Sequence, residues 1–282
     1  MNGVLVVNKP KGFTSRDVVN KVGKILGTKK IGHIGTLDPI ATGVLVLCIG
    51  NSLKLVELMM EHDKEYIAKV CLGFETDTLD ITGNVISKKE VPNLKKEDIE
   101  LVLKKFIGKI SQQVPAYSSI KVHGKKLYEY ARNGEEVELP TKEVEVYQLE
   151  LIDFVSPQEF VIKCRVSKGT YIRSLIRDIG YALGTCATMS ELERVSLGKF
   201  QLSDSYTLDD LEKGHYQLLS NLEALDLPVI VVSDALEKKV RNGQVLPKFF
   251  DNDMVYLVNQ SHDLLAIYQH KDNDFVKPYR VF

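Results

Sequence analysis

The period of hydrophobic positions changes along the chain. An unbroken apolar run, Val4 to Val7, bounded by Gly3 and by Lys9-Pro10-Lys11-Gly12, predicts a short buried strand and a turn. After the cap pair Thr14-Ser15, Val18, Val19, Val22, Ile25 and Leu26 recur at helical spacing until Gly27 stops them. A glycine-rich loop over 27–43 leads into a second apolar run, 44–49, and a helix over 52–61. Period two then dominates, predicting strands over 64–72, 83–87, 142–154 and 159–166, with helices between them at 95–107, 125–133 and 171–183. Strands interleaved with helices, without a regular βαβ repeat, argue for an α+β fold around a mixed sheet.

Past residue 203 the pattern weakens and charge takes over. From Asp204 to Glu237 there are eight Asp/Glu against the single Lys213, which suits a linker or peripheral helical segment, with Thr207-Leu208-Asp209-Asp210 placed to cap a helix. After Pro228 the sequence predicts a strand (229–232), a small helix ending at Asn242-Gly243, and a hairpin over 254–258 and 264–268. The organisation expected is a main domain over 1–203, an acidic segment over 204–228, and a short β-rich domain over 229–282, too small to be comfortable alone.

A hydrophobic content of 44% supports a packed core and excludes disorder and disulfide miniproteins. No stretch approaches the roughly 18 apolar residues of a membrane span, and residues 1–11 lack signal-peptide architecture, so a cytoplasmic protein is expected. Cys48, Cys71, Cys164 and Cys186 form no C-x-x-C pair and read as reduced core thiols, with no metal site expected. Net charge is −1, from 37 Lys+Arg against 38 Asp+Glu, but it does not cancel locally. Residues 9–30 carry seven Lys/Arg and one acid, and residues 163–177 carry five and none. Residues 121–132 add Lys121, Lys125, Lys126 and Arg132 around Tyr128 and Tyr130, a mixture that suits phosphates and stackable bases.

The richest chemistry lies in Gly32-His33-Ile34-Gly35-Thr36-Leu37-Asp38-Pro39-Ile40-Ala41-Thr42-Gly43, an ordered loop that holds a carboxylate in a turn. Taken alone, Asp38 before Pro39 is an ordinary turn start. The phosphate-loop, dinucleotide, zinc-protease and nucleophile-elbow signatures are all missing, which leaves a lone carboxylate. A colinear series of motifs then narrows the field: Lys9-Pro10-x-Gly12-x-Thr14-Ser15, the loop itself, Lys64-x-Tyr66, Tyr117-Ser118-Ser119-Ile120-Lys121, the stretch from Gly124 to Arg132, and Ser167-Lys168-Gly169-Thr170-Tyr171-Ile172-Arg173. Together, from residue 3 to about 200, they resemble the bacterial tRNA pseudouridine-55 synthase (TruB-type) family.

That resemblance implies a pseudouridine synthase fold, with a largely antiparallel central sheet flanked by helices and a PUA-like C-terminal domain. It implies isomerisation of one uridine in the T loop of tRNA, with no cofactor or metal and no obligatory protein partner, by a monomer. By resemblance Asp38 is the catalytic aspartate, Tyr66 stacks on the target base and Arg173 pairs with Asp38. His33, Lys54, Lys121, Tyr171, Leu192 and Lys9 line the RNA site on the same ground. The physics is consistent: a base inside a stacked loop must be flipped out, at a cost of a few kcal/mol offset by stacking and phosphate contacts. A guanidinium partner keeps a carboxylate ionised and fixes its direction. Three first steps suit a lone carboxylate: attack at C1′, addition to C6, or removal of a ribose proton. A non-catalytic RNA-binding or RNA-folding protein, or a synthase acting on another RNA, would share much of this pattern.

Overall fold

Residues 1–282 are all described by the computed structural model. Strands β1 (Gly3–Lys9), β2 (Ile31–Ile34) and β3 (Thr42–Ile49) explain the apolar runs. β1 and β3 pair antiparallel from Gly3↔Ile49 to Lys9↔Gly43. Leu5, Val7, Leu45 and Leu47 enter one core, while Val4, Val6, Val44 and Val46 enter another on the opposite face. A strand buried on both faces needs no polar positions, so alternation is lost. The segment expected as loop throughout 27–43 contains β2, which pairs with the far end of β3, and the true loop shrinks to 35–41.

Helix α1 (Ser15–Ile25) begins where the sequence places it. The Thr14 hydroxyl accepts from the Asp17 N–H at 3.1 Å while the Asp17 carboxylate accepts from the Thr14 N–H at 2.9 Å, a reciprocal box that satisfies two otherwise orphaned donors. The helix expected at 52–61 is instead a 3-10 turn (Gly50–Leu55) followed by the short α2 (Val56–Met60).

The remaining strands are β4 (Lys64–Leu72), β5 (Phe74–Thr76), β6 (Val85–Lys88), β7 (Gly108–Gln113), β8 (Lys121–Val122), β9 (Lys125–Lys126), β10 (Thr141–Ser156), β11 (Glu159–Val166), β12 (Ala187–Leu197) and β13 (Phe200–Gln201). A sheet of nine strands runs β1-β3-β12-β4-β11-β10-β7, with β2 on β3 and β13 on β12. All of its pairings are antiparallel except β3 with β12, which are parallel over Thr42↔Glu193 and Gly43↔Arg194. Helices α3 (Lys96–Lys104), α4 (Leu127–Asn133) and α5 (Ile172–Ala182) complete this part, α5 burying Ile172, Leu175, Ile176 and Ile179 in the larger core. β4 alternates strictly because only one of its faces is covered, and the other carries ion pairs such as Lys163–Glu65 at 3.1 Å. β12 escaped the sequence reading because bulges after Met189 and Arg194 break its alternation, and because it buries Thr188, Ser190 and Arg194.

The acidic segment is not a free linker. It carries α6 (Leu208–Glu212) and α7 (Asn221–Ala224), and its backbone satisfies the outer edge of β1. The Val4 N–H donates to the Leu219 carbonyl (2.8 Å), Leu219 donates back to Val4 (2.9 Å), and Tyr206 exchanges bonds with Val6 (3.0 Å) and Asn8 (2.9 Å). An unpaired edge would otherwise expose these groups. Its acids face solvent while Leu208 and Leu211 fill the core.

The C-terminal part is a five-stranded sheet, β14 (Val229–Val231), β15 (Leu246–Pro247), β16 (Met254–Val258), β17 (Leu264–His270) and β18 (Phe275–Val281), ordered β14-β16-β17-β18-β15, with α8 (Asp234–Arg241) against it. β18 was missed because Lys277, Pro278 and Arg280 interrupt its apolar pattern. This sheet is no detached appendage. Tyr256 and Ile267 enter the same core as Val4, Val46, Leu55 and Met59, and the Tyr256 hydroxyl donates to the Asn221 carbonyl at 2.6 Å. The shared core predicts one cooperative unfolding transition for the whole chain. Tyr256→Ala should cost about 3–5 kcal/mol, as for other large aromatic truncations, and should lower the midpoint of both sheets together. Coincident urea transitions by far-UV dichroism and by tyrosine fluorescence check this; two separated transitions would refute it.

Candidate active site

The Asp38 loop is held by the segment that precedes α1. The Ser15 hydroxyl accepts from the Leu37 N–H (2.9 Å) and donates to the Leu37 carbonyl (3.2 Å), and the Gly12 N–H donates to the Pro39 carbonyl (2.7 Å). Leu37, Ile40 and Ala41 plug the loop into the core, and the Ala41 N–H closes a turn on the Asp38 carbonyl (3.0 Å). Asp38 is left partly open between the exposed Thr36 and Pro39, its side chain one-third exposed.

Arg173, in the first turn of α5, reaches that carboxylate from a side chain that is 5% exposed. Its Nε lies 2.8 Å from Asp38 Oδ2 and its Nη2 donates to Oδ1 at 3.1 Å, a two-pronged geometry that fixes the plane of the carboxylate. The other donors go to the Thr78 carbonyl (Nη1, 2.8 Å) and the Tyr117 carbonyl (Nη2, 3.1 Å). Thr78 is held in place by buried Asp80, which accepts from the Thr78 hydroxyl (3.0 Å) and from the Thr82 N–H (2.9 Å). The start of α5 is itself pinned by Gln112, whose side chain accepts from the Tyr171 N–H (2.8 Å) and donates to the Tyr171 carbonyl (3.1 Å). The sequence offers no signal for Asp80 and Gln112, which stand among other polar residues, Asp77, Thr78 and Thr82 around one and Ser111 and Gln113 around the other.

Tyr66 projects from β4 into the same core cluster as Leu192 of β12 and Leu37. It is nearly enclosed, and burial pushes its hydroxyl up while the neighbouring Arg194 guanidinium opposes that shift. Tyr171 caps α5 half-buried. His33, on β2, is half-buried with an enclosed and unpartnered Nδ1, and burial, then Arg194 and Arg16, push its imidazole below the usual range. The structure thus gathers Asp38, Arg173, Tyr66, Leu192 and Tyr171 around the line where β3 meets β12 and α5, whereas His33 stands on β2 opposite Leu47, toward the other end of β3.

The basic residues are placed differently. Lys9 is fully buried and donates to the carbonyls of Phe13 (2.6 Å) and Pro10 (3.0 Å), so it braces the loop rather than meeting a phosphate. The reading of Lys9 as an RNA contact is corrected on that ground. Lys54 is tied to the C-terminal strand, donating to the Val281 carbonyl at 2.6 Å and lying 5.5 Å from the Phe282 ring centroid. Lys121 is exposed on the β8–β9 hairpin. Beside it, Lys125 bonds Glu135 (2.7 Å) and sits over the Tyr130 ring at 4.5 Å, while Arg132 sits over Tyr128 at 5.4 Å. The tyrosines of that segment are therefore already capped by cations.

Comparison with known proteins gives this geometry a class. The profile for TruB family pseudouridylate synthases (N terminal domain) matches residues 23–172, and that of the tRNA pseudouridylate synthase B C-terminal domain matches 173–232, so the Asp38–Arg173 pair spans both. Fold and family are those of a pseudouridylate synthase, an isomerase. The chain is 41% identical over its whole length to a tRNA pseudouridine synthase B of Caldanaerobacter subterraneus subsp. tengcongensis, covering 99% of that protein. It is 44% identical to the protein of the same name from Staphylococcus aureus (strain MSSA476), again covering 99% of it. It belongs to the TruB family. Among solved structures, a chain of an H/ACA ribonucleoprotein bound to a substrate RNA containing 2′-deoxyuridine superposes with a TM-score of 0.73 at 25% identity, over 99% of this chain and 84% of that one.

Two buried lysines frame the site and yield a pH prediction. Burial pushes the ammonium groups of Lys9 and Lys64 down to about 8 each, with Arg194 adding to the effect and nearby carboxylates opposing it. An unfolded lysine titrates near 10.4. Between these values the unfolded chain binds more protons, so this contribution to stability rises with pH, by up to about 1.4 kcal/mol per unit per lysine. Lys64→Met should therefore stabilise the protein at pH 7, and the advantage should shrink by pH 9. Urea unfolding of both proteins at the two pH values tests it; an advantage that grows with pH would contradict the assignment.

Proposed function

We propose that the chain converts uridine-55 in the T loop of tRNA to pseudouridine, with Asp38 as the group that acts on the flipped-out nucleotide. The observation that carries this reading is a single carboxylate held in two bonds by an almost fully buried arginine and yet one-third open. An arginine that only stabilised the core would find a buried partner. The reaction breaks the C1′–N1 bond, rotates the base and joins C1′ to C5, after which C5 loses its hydrogen as a proton and N1, freed from the sugar, takes one up. Arg173 holds the carboxylate in one plane and aims it through two hydrogen bonds. Tyr66 offers ring surface beside it for the extruded uracil, and Leu192 closes the apolar side of the pocket. The relatives named tRNA pseudouridine synthase B support tRNA as the substrate class.

The exposed cations Lys121 and Lys11 extend the site along a path suited to phosphates. Affinity for a T-arm hairpin should then fall with salt with a log–log slope of several units, roughly −0.7 to −0.9 per neutralised phosphate. Asp38→Asn preserves volume and removes the charge, so hairpin affinity should stay within about threefold while turnover falls below detection, the mark of a group that acts only in the chemical step. Tritium release from 5-tritiated uridine reads it directly, because only substitution at C5 liberates that hydrogen. Release by the variant within tenfold of the parent would assign the chemistry elsewhere. Binding without any release by the parent would leave a non-catalytic RNA-binding protein.

A further inference from the structure

Arg194 of β12 is fully buried, yet the acceptors it meets are backbone carbonyls rather than carboxylates. Its Nε donates to the Val44 carbonyl at 2.7 Å and its Nη2 to the Gly35 carbonyl at 2.9 Å, and its Nη1 is enclosed without a partner. A guanidinium sealed from water without a counter-charge is costly, and an apolar side chain of similar volume would serve stability as well or better. Its position supplies the reason for keeping it. Gly35 is the first residue of the loop that carries Asp38 and Val44 the third of β3, just past its far end, and one guanidinium bonds both. The strand register sets Arg194 directly opposite Tyr66 on one side and Gly43 on the other. Neither end of the loop leaves space for a side chain: with φ of +66° and +98°, a Cβ on Gly35 would lie 3.1 Å from Arg194 Nη1 and one on Gly43 would lie 2.3 Å from the Arg194 carbonyl.

We propose that Arg194 is a positioning residue for the isomerisation: it closes the base of the Asp38 loop by gripping the carbonyls at its start and just past its far end, and so sets the depth of the carboxylate relative to Tyr66. The proposal rests on the functional reading above only where it speaks of turnover. Lysine cannot replace the grip, because one ammonium does not present the planar fork that spans two carbonyls, and methionine has no donors at all.

The test compares Arg194→Lys and Arg194→Met with the parent, in tritium release under single turnover at saturating T-arm hairpin, in hairpin affinity, and in amide hydrogen exchange followed by mass spectrometry. Expected are a rate lower by about ten- to a hundredfold, as for ångström-scale misplacement of a reacting group, with affinity within threefold. Exchange should accelerate in the peptide spanning residues 35–44 and not in α1 or α5. Unchanged exchange in that peptide overturns the proposal whatever the activity. A rate within threefold of the parent in Arg194→Met also overturns it, as does a parallel loss of rate, affinity and exchange protection throughout the chain, which would make Arg194 a core residue only. Should neither variant be soluble, Gly35→Ala strains a φ of +66° and presses a Cβ against Arg194 Nη1, disturbing the same contact from the loop side, and must produce the same split between rate and affinity. Accelerated exchange in a protein whose parent form releases no tritium would strike the functional reading and leave the loop closure standing.

Discussion

A guanidinium removed from water must find acceptors for its N–H groups or lose several kcal/mol, and in Arg173 that requirement assembles the active site. Its acceptors come from three separate stretches: the Asp38 carboxylate, the Thr78 carbonyl in the β5–β6 hairpin and the Tyr117 carbonyl before β8. None of these stretches is regular secondary structure, and none would be fixed by sheet pairing alone. The arginine binds them because each supplies an oxygen. The carboxylate differs from the two carbonyls in remaining one-third open to solvent, which allows one residue of the cluster to be both part of the scaffold and available to a substrate.

Around this cluster the fold concentrates positive charge where it is least easily solvated. Lys9, Lys64 and Arg194 are all buried, and all three donate to backbone carbonyls near the loop. Burial lowers the proton affinity of both lysines, with the Arg194 guanidinium adding to it, and the group gives the pocket a fixed positive field. A field of this kind is unscreened by salt because the charges lie below the surface, unlike that of the exposed lysines. The two sets of cations are therefore placed for different ends: the surface ones face solvent, and the buried ones hold the loop.

Much of this arrangement can be read from the amino-acid pattern, but unevenly. Strictly alternating segments such as β4 and β11 were placed within a residue or so, because one covered face writes a period of two into the sequence. The capped helix α1 was equally plain. β12 was lost, although it lies at the centre of the sheet, because its bulges move successive side chains to the wrong parity and its buried polar residues mimic a loop. For the site, the motif series located Asp38, Tyr66 and Arg173, and the ion pair lies where the resemblance places it. What the motifs could not convey was the direction of each side chain. Lys9 stands in a basic run and looks like a phosphate ligand, yet the turn at Gly12 folds the chain so that its ammonium points inward. Arg194 sits among polar neighbours in β12 and gave no sign of being buried. Lys9 turns on a local fold of the chain onto Pro10 and Phe13, Arg194 on tertiary contacts far along the chain, to Val44 and Gly35.

The joint between β3 and β12 has a mechanical meaning. On one side lie β1, β2 and β3 with the Asp38 loop, and on the other β12, β4, β11, β10 and β7 with Tyr66 and Leu192. Two residue pairs of strand register join these plates, Thr42↔Glu193 and Gly43↔Arg194, against nine between β12 and β4. A sheet made this way has a narrow spine, stiff within each plate and compliant across it. Any force across the joint falls on that spine and on the side chains bridging it, and Asp38 and Tyr66 stand on opposite leaves of the same book.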